Sequence, residues 1–310
     1  MTTASNVTPL SLLDVLIAGI VAGWIAMVVV EWRRRQGRAW QTVRRIAVRT
    51  SVWASALYLF FLASWGFNYR RVRLVDRLAF DAAHVDAGAV RALTSTAVAQ
   101  LNTLYAPAHA TGWPEPGVVD PALASTFAAA QRDLGAARPA VPARPKRTLL
   151  DAYFRRAVVD GMTDPFFLET FVSSTVLPME RPFVVAHEWA HLAGYNDEGE
   201  ANFVSWLACV RGDAARQYSG WLAIYSEASA LLGRRDRQAV AEQLAAGPRD
   251  DLRAIADRIL RNRSVRVSQA GWQAYNQYLK ANRVEAGAAS YSEVIRLILG
   301  TRLGMANVKE

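Results

Sequence analysis

Two stretches near the start of the chain are almost free of charge. Leu10 to Val30 is apolar apart from Ser11 and Asp14, and Thr50 to Tyr69 runs for 20 residues without a charged side chain. A helix needs about 20 apolar residues to cross roughly 30 Å of hydrocarbon, so both stretches read as membrane spans. The second carries Trp53, Tyr58, Phe60, Phe61 and Trp65, and aromatics near its ends suit a membrane interface. Two buried core helices are the competing reading. It fits less well, because both runs are long and both flank an arginine-rich loop.

Beyond residue 70 the pattern becomes that of a folded domain. Arg71 to Tyr105 has apolar residues at helical spacing and few breakers, which predicts a helix. Thr111 to Pro121 reads as a loop, Ala122 to Leu134 as an alanine-rich helix, and Arg138 to Lys146 as an exposed linker or loop. Pro165 to Leu177 is β-branched and aromatic, so it is the best strand candidate. From Pro182 onward the pattern is helical again, with breaks expected at Gly194, Gly212, Gly233, Gly247 and Gly287. There is no internal repeat and no glycine-rich phosphate loop. The expected fold is mainly α, with residues 1–69 as a membrane anchor and 70–310 as one mostly helical domain with a small β element.

Composition narrows the function classes. Of 310 residues, 52% are hydrophobic and 20% charged, which excludes wholesale disorder. The lone cysteine, Cys209, lies in an apolar run, so a disulfide framework and a cysteine-ligated zinc site are excluded. The net charge of +9 is unevenly placed. Residues 31–49 hold seven arginines, Arg33, Arg34, Arg35, Arg38, Arg44, Arg45 and Arg49, and the segment before them has none. A short basic stretch between two apolar runs is a topology signal rather than a nucleic-acid face, so no nucleic-acid partner is expected. By the positive-inside rule that loop is cytoplasmic. The N-terminus and residues 70–310 are then expected outside the cytoplasmic membrane, although Arg70, Arg71, Arg73 and Arg77 weaken the asymmetry.

The stretch that carries chemistry is Pro182 to Cys209. It contains His187-Glu188-Trp189-Ala190-His191, an HExxH that uses two of the four histidines in the chain. On a helix, residues i and i+4 share a face, so both imidazoles can reach one ion with Glu188 beside it as a base. Pro182 suits the first turn of that helix and Gly194 its end. His84 and His109 read as surface residues. A catalytic zinc needs a third protein ligand and an open position. Glu198, Glu200 and Asp197 are the candidates. Glu198 and Asn202 are i and i+4, so the first can ligate while the second holds a histidine. Glu200 projects about 200° away from Glu198 on the same helix, so the two are alternatives.

HExxH followed by Glu198-Gly-Glu-Ala-Asn-Phe203 resembles the gluzincin metallopeptidases. In membrane-bound proteases of that clan the motif E-x-x-A-[DN] supplies the third ligand, and that register falls on Glu198 and Asn202. The chain is more similar still to a bacterial family of membrane-anchored HExxH proteins described only as a domain of unknown function. Trp65-Gly-Phe-Asn-Tyr69, Tyr218-Ser-Gly-Trp221, and Tyr278-Leu-Lys-Ala-Asn-Arg-Val284 with Gly287 and Ser290-Tyr291 carry that likeness. The resemblance implies a zincin-like domain, a zinc cofactor and no particular substrate.

The expected activity is peptide hydrolysis by a zinc-activated water, with Glu188 as general base, on a protein or peptide substrate at the bacterial cytoplasmic membrane. Tyr218, Tyr291 and Arg211 are unranked candidates for stabilising the oxyanion. The 165–177 strand is expected to pair with an extended substrate. A non-proteolytic zinc sensor or scaffold is the alternative, against which the intact Glu188 argues.

Overall fold

The computed structural model describes residues 1–35, 37–281, 293–301 and 303–304. The fold is mainly α, as expected. Helix α1 (Leu12–Arg33) and helix α2 (Ala39–Ser64) are long and apolar enough to cross a membrane, and almost none of either is buried in the protein. At about 1.5 Å per residue, the 22 residues of α1 reach about 33 Å. The two boundaries read from hydropathy move. Helix α2 begins 11 residues ahead of Thr50 and takes in Arg44, Arg45 and Arg49. Arg45 and Arg49 pair with Glu31 at the end of α1, at 3.0 and 2.6 Å. The arginines therefore extend a helix instead of forming a long loop, and the connection shrinks to the residues around Gly37. Tyr69 lies beyond α2, in a 3-10 turn over Gly66–Arg70.

Both apolar helices meet the domain at the same end of the hairpin. Ser11 caps α1 by accepting from Asp14 N. Glu169 accepts from Leu12 N and Leu13 N at 3.1 and 3.0 Å, satisfying donors that a helix start leaves open. Asp14 accepts from Thr148 Oγ1 and Leu149 N. Near the other end of α2, Phe60 stacks on Phe166 with ring centroids 5.9 Å apart.

The single long helix expected over 71–105 is not formed. The chain makes a short helix at Leu74–Arg77 and a 3-10 turn at Ala82–His84 before helix α3 (Ala87–Thr111). Asp81 and Asp86 account for the breaks, because each side chain caps a new start, on Ala83 N and Ala89 N. Helix α4 (Pro121–Asp133) follows, capped by Asp120.

Residues 138–146 also depart from expectation. They end in strand β1 (Pro145–Lys146), and Ala143 and Lys146 are buried. Lys146 Nζ donates to Ser5 O, Leu10 O and Glu169, and Ala143 O accepts from the indole of Trp189. Three prolines predict irregular backbone there, but not that the loop packs inward. Helix α5 (Asp151–Ala157) leads to β2 (Gly161–Thr163) and β3 (Thr170–Val172). The sheet order is β1-β3-β2, parallel on one side and antiparallel on the other.

The strand read over 165–177 is thus three residues long. Asp164 accepts from Phe166 N and Phe167 N and turns the chain before it. Because β3 is the central strand, it has no edge to offer a substrate. That overturns the expected pairing, and the open edge beside the site belongs to β2.

The rest is a helical stack. Helix α6 (Arg181–Leu192) carries the HExxH and packs on α7 (Glu198–Cys209), and α8 (Ala214–Ala230) lies along α3. Helices α9 (Arg234–Ala241), α10 (Ala246–Asn262), α11 (Val265–Ala281) and α12 (Glu293–Thr301) complete the described chain. Gly247 lies inside α10 rather than at a break, and Gly287 lies outside the described residues. Trp189, Trp206, Trp221, Phe127 and Phe203 are fully buried around α6 and α7. All 12 residues of α7 are buried, which an isolated amphipathic helix would not allow. Cys209 is one of them and belongs to this core.

Candidate metal centre

Helix α6 is held at its start by α7 and α8. Ser205 Oγ donates to Phe183 O, and Phe183 N donates to Ser219 Oγ. The Tyr218-Ser-Gly-Trp221 element therefore has a structural use at each of its first three positions. Ser219 caps the HExxH helix. Gly220 lets Cys209 approach, since a Cβ there would lie 2.8 Å from the Cys209 Cβ. Tyr218 donates to buried Asp251 at 2.7 Å. That last bond removes Tyr218 from the oxyanion candidates, because its hydroxyl hydrogen is already committed. Arg211 pairs with Asp133 through Nη2 at 2.5 Å. Tyr291 lies outside the described residues.

At the other end of α6, Gly194 takes a positive φ of 85°, which a side chain would strain. The segment after α2 closes over this turn. Arg71 donates to Ala193 O and stands 4.9 Å over the Tyr195 ring, and Asn68 Oδ1 lies 3.1 Å from where a Gly194 Cβ would be. The Trp65-Gly-Phe-Asn-Tyr69 element thus reaches the turn behind the second histidine.

Within this frame the side chains converge. His187 Nε2 and His191 Nε2 are 3.1 Å apart, and Glu198 Oε2 lies 3.2 and 3.7 Å from them. The three residues are the described group whose ligand atoms all fall within 4.8 Å of one another. The outer ring nitrogens are held by acceptors. Asn202 Oδ1 is 2.7 Å from His187 Nδ1, and Tyr195 O is 2.7 Å from His191 Nδ1. Each acceptor puts the ring hydrogen on Nδ1, so both Nε2 lone pairs face the same point. Two lone pairs and a carboxylate aimed together repel one another unless a positive charge lies among them. The donor set thus fits a cation such as zinc. The same pull toward positive charge at this point shows in the titration, where a proton on His191 can fill the place of a cation. Burial opposes charge on both partners. Even so, the Glu198 carboxylate raises His191 to about 9, and His191 and His187 hold Glu198 well below its usual range.

The other acids have different partners. Asp197 is the N-cap of α7, accepting from Gly199 N and Glu200 N. Glu200 faces the chain after the apolar helices, where its Oε1 accepts from Leu74 N at 2.5 Å, and burial raises it to about 7. Glu198, at the first position of α7, is the acid that meets the histidines.

Glu188 lies beside them, buried, with its carboxyl raised by that burial. Its neighbours come from β2. Thr163 Oγ1 reaches Glu188 Oε2 and Glu188 O, and a Cβ at Gly161 would lie 2.5 Å from Glu188 Oε1. Sequence reading missed both residues. It also missed Glu227 on α8, whose carboxyl burial raises to about 7 against the pull of His187. No local motif marks any of the three.

His109 is exposed, as expected of a surface residue, and is also partnered. Its Nε2 lies 2.9 Å from Asp251, among the rings of Tyr105, Trp113 and Tyr218. His84 is part-exposed and 3.6 Å from Asp81.

No curated protein and no solved structure matches the chain. A family model does, over residues 1–299, which take in both apolar helices, the HExxH helix, α7 and most of α12. On that match the chain belongs to the family described as protein of unknown function (DUF3810).

Proposed function

We propose that this protein is a membrane-anchored zinc metallopeptidase of gluzincin type. The observation that carries the reading is the convergence of His187 Nε2, His191 Nε2 and Glu198 Oε2, with Glu188 beside them. His187, His191 and Glu198 would hold the ion, and Asn202 would orient His187. When bound, zinc would supply a Lewis acid that acidifies water and polarises a carbonyl. The chain's own residues would supply the remainder. Glu188 takes a proton from the attacking water and delivers it to the leaving amine. Thr163 holds Glu188 in place through its hydroxyl. The backbone of β2 orients an extended substrate. Met162 pairs with Phe171 of β3, so Gly161 and Thr163 direct their backbone groups to the open edge.

In this reading α1 and α2 form a hairpin in the cytoplasmic membrane and the arginine-rich connection faces the cytoplasm. The shared end of the hairpin against the domain supports placing the N-terminus and residues 70–310 together on the outer side. A periplasm-active reporter fused after Tyr105 should be active, and one fused near Arg38 silent.

The decisive experiment uses the full-length protein in lipid, loaded with zinc and given a peptide library. Cleavage that chelation abolishes and zinc restores supports the peptidase. Stoichiometric zinc with no cleavage of any library member would favour a sensor or scaffold instead.

A further inference from the structure

We propose that the domain face bearing Val7, Leu10 and Leu149 rests in the headgroup layer of the bilayer that holds α1 and α2. The inference rests on the membrane reading of those helices and not on the peptidase. Leu149 and Val7 are each 84% exposed, and Leu10 is 67% exposed. Exposed apolar side chains scattered singly mean little, but these are fastened around the start of α1. Leu149 N donates to Asp14, the third residue of α1, at 2.9 Å, and the neighbouring Thr148 hydroxyl donates to the same carboxylate at 2.7 Å. Asn6, next to Val7, accepts from Arg144 N and donates to Pro142 O. Lys146 holds Leu10 O and Ser5 O. A rise of about 1.5 Å per residue then puts Leu149 within about one helical turn of the depth at which α1 begins.

The second helix fixes the same level from its other side, where Phe60 stacks on Phe166 one turn before α2 ends at Ser64. Between the two lies a small core of Leu13, Phe154 and Phe171, with Met162 and Phe166 against it. The domain is therefore built directly onto the hairpin, with no room for a tether that would lift this face into water. Its rim is basic. Arg147 flanks Leu149, and Arg155 and Arg156 lie on α5, all three exposed, with Arg155 also 3.3 Å from Asp151. Arginine at this depth keeps its stem apolar and its head among lipid phosphates. Of the occupants an apolar face can take, the bilayer is the one already threaded through its centre.

The test uses the full-length protein in phosphatidylglycerol–phosphatidylcholine vesicles. Cys209 is the only cysteine, it is fully buried, and burial pushes its thiol up. A thiol-reactive fluorophore will therefore label Leu149→Cys selectively, and a 49% exposed Leu231→Cys, in the turn after α8, serves as comparison. Flotation with the vesicles after alkaline extraction tests the membrane reading separately. In floating protein, nitroxide-labelled lipid should quench the fluorophore at 149 and leave that at 231 bright. Equal quenching at both positions, or a bright fluorophore at 149, overturns the proposal. So does disulfide-linked dimer formation through the unlabelled Leu149→Cys variant without quenching, which would make a second copy the occupant. Failure to float removes the membrane reading and this inference together, while leaving the metal centre untouched.

Discussion

Thr163 Oγ1 lies 2.9 Å from Glu188 Oε2 and 2.8 Å from the Glu188 carbonyl oxygen. A hydroxyl has one hydrogen, so it serves one of these acceptors at a time. Toward the carboxylate it donates. If Glu188 is protonated, the hydrogen can turn to the carbonyl while the hydroxyl oxygen accepts. Thr163 can therefore hold Glu188 through both stages of a proton transfer. Proton transfer of this kind contributes about a hundredfold to ten-thousandfold in rate. Glu188→Gln preserves shape and should bind zinc as wild type does, while losing hydrolysis by a factor in that range. Metal content by mass spectrometry, measured alongside turnover, checks both halves. Release of zinc by this variant would make Glu188 a ligand or a structural acid.

Gly161 is required by the same carboxylate. An added Cβ would stand 2.5 Å from Glu188 Oε1 and 2.8 Å from its Cγ, closer than real Cβ contacts come. Gly161→Ala should push Glu188 out of line and cut hydrolysis without releasing zinc. Gly161→Ala activity equal to wild type would show that β2 can yield and that Glu188 is not fixed by it.

Much of this site could be read from spacing because it lies on two helices. His187, His191, Glu198 and Asn202 are related by i and i+4 steps, which the helix period converts into shared faces. Capping separates the three acids by their partners. Asp197 turns its carboxylate to its own helix start, and Glu200 turns to Leu74, which leaves Glu198. Thr163 and Gly161 were illegible because they reach Glu188 from a different element, 25 or more residues earlier. The strand order was equally hidden, since β-branched composition marks Thr170–Val172 as a strand but not as the middle one. Lys146 was read as part of an exposed loop because a lone lysine carries no sign of its partner. Its buried contact with Glu169 is purely tertiary.

That pair yields a stability prediction. Lys146 Nζ and Glu169 Oε1 are 2.6 Å apart with side chains 1% and 0% exposed. Removing one partner of a buried pair costs about 3–5 kcal/mol, because the other charge stays desolvated. Glu169 keeps the N–H groups of Leu12 and Leu13, so Lys146→Met should fall near the lower end. The double variant Lys146→Met with Glu169→Gln removes both charges and should recover part of the loss. Thermal unfolding in detergent at neutral pH measures both. A Lys146→Met variant as stable as wild type would mean that Glu169 is held by the helix start alone.

Glu198 and Glu200 should separate in two independent measurements. Glu198→Ala should abolish stoichiometric zinc, and Glu200→Gln should leave it, because Gln keeps an acceptor oxygen for Leu74 N. The second measurement is the pH dependence of stability in chelator. Burial raises Glu200 from 4.5 to about 7 in the folded protein. Between those values the folded state keeps a proton that the unfolded state has lost, so stability falls as pH rises through this window. Below about 4.5 both states are protonated, and above about 7 both are ionised, so the change is confined to the window. A pKa unit is worth about 1.4 kcal/mol, so the shift sets a ceiling of about 3 kcal/mol on the loss. Glu200→Gln cannot ionise and should escape it. Its stability relative to wild type should therefore rise between pH 4.5 and 7 and level off above. Parallel stability curves would show that Glu200 is ionised in the fold. Zinc loss from Glu200→Gln, with retention in Glu198→Ala, would exchange their roles and leave Asn202 without the histidine it is argued to hold.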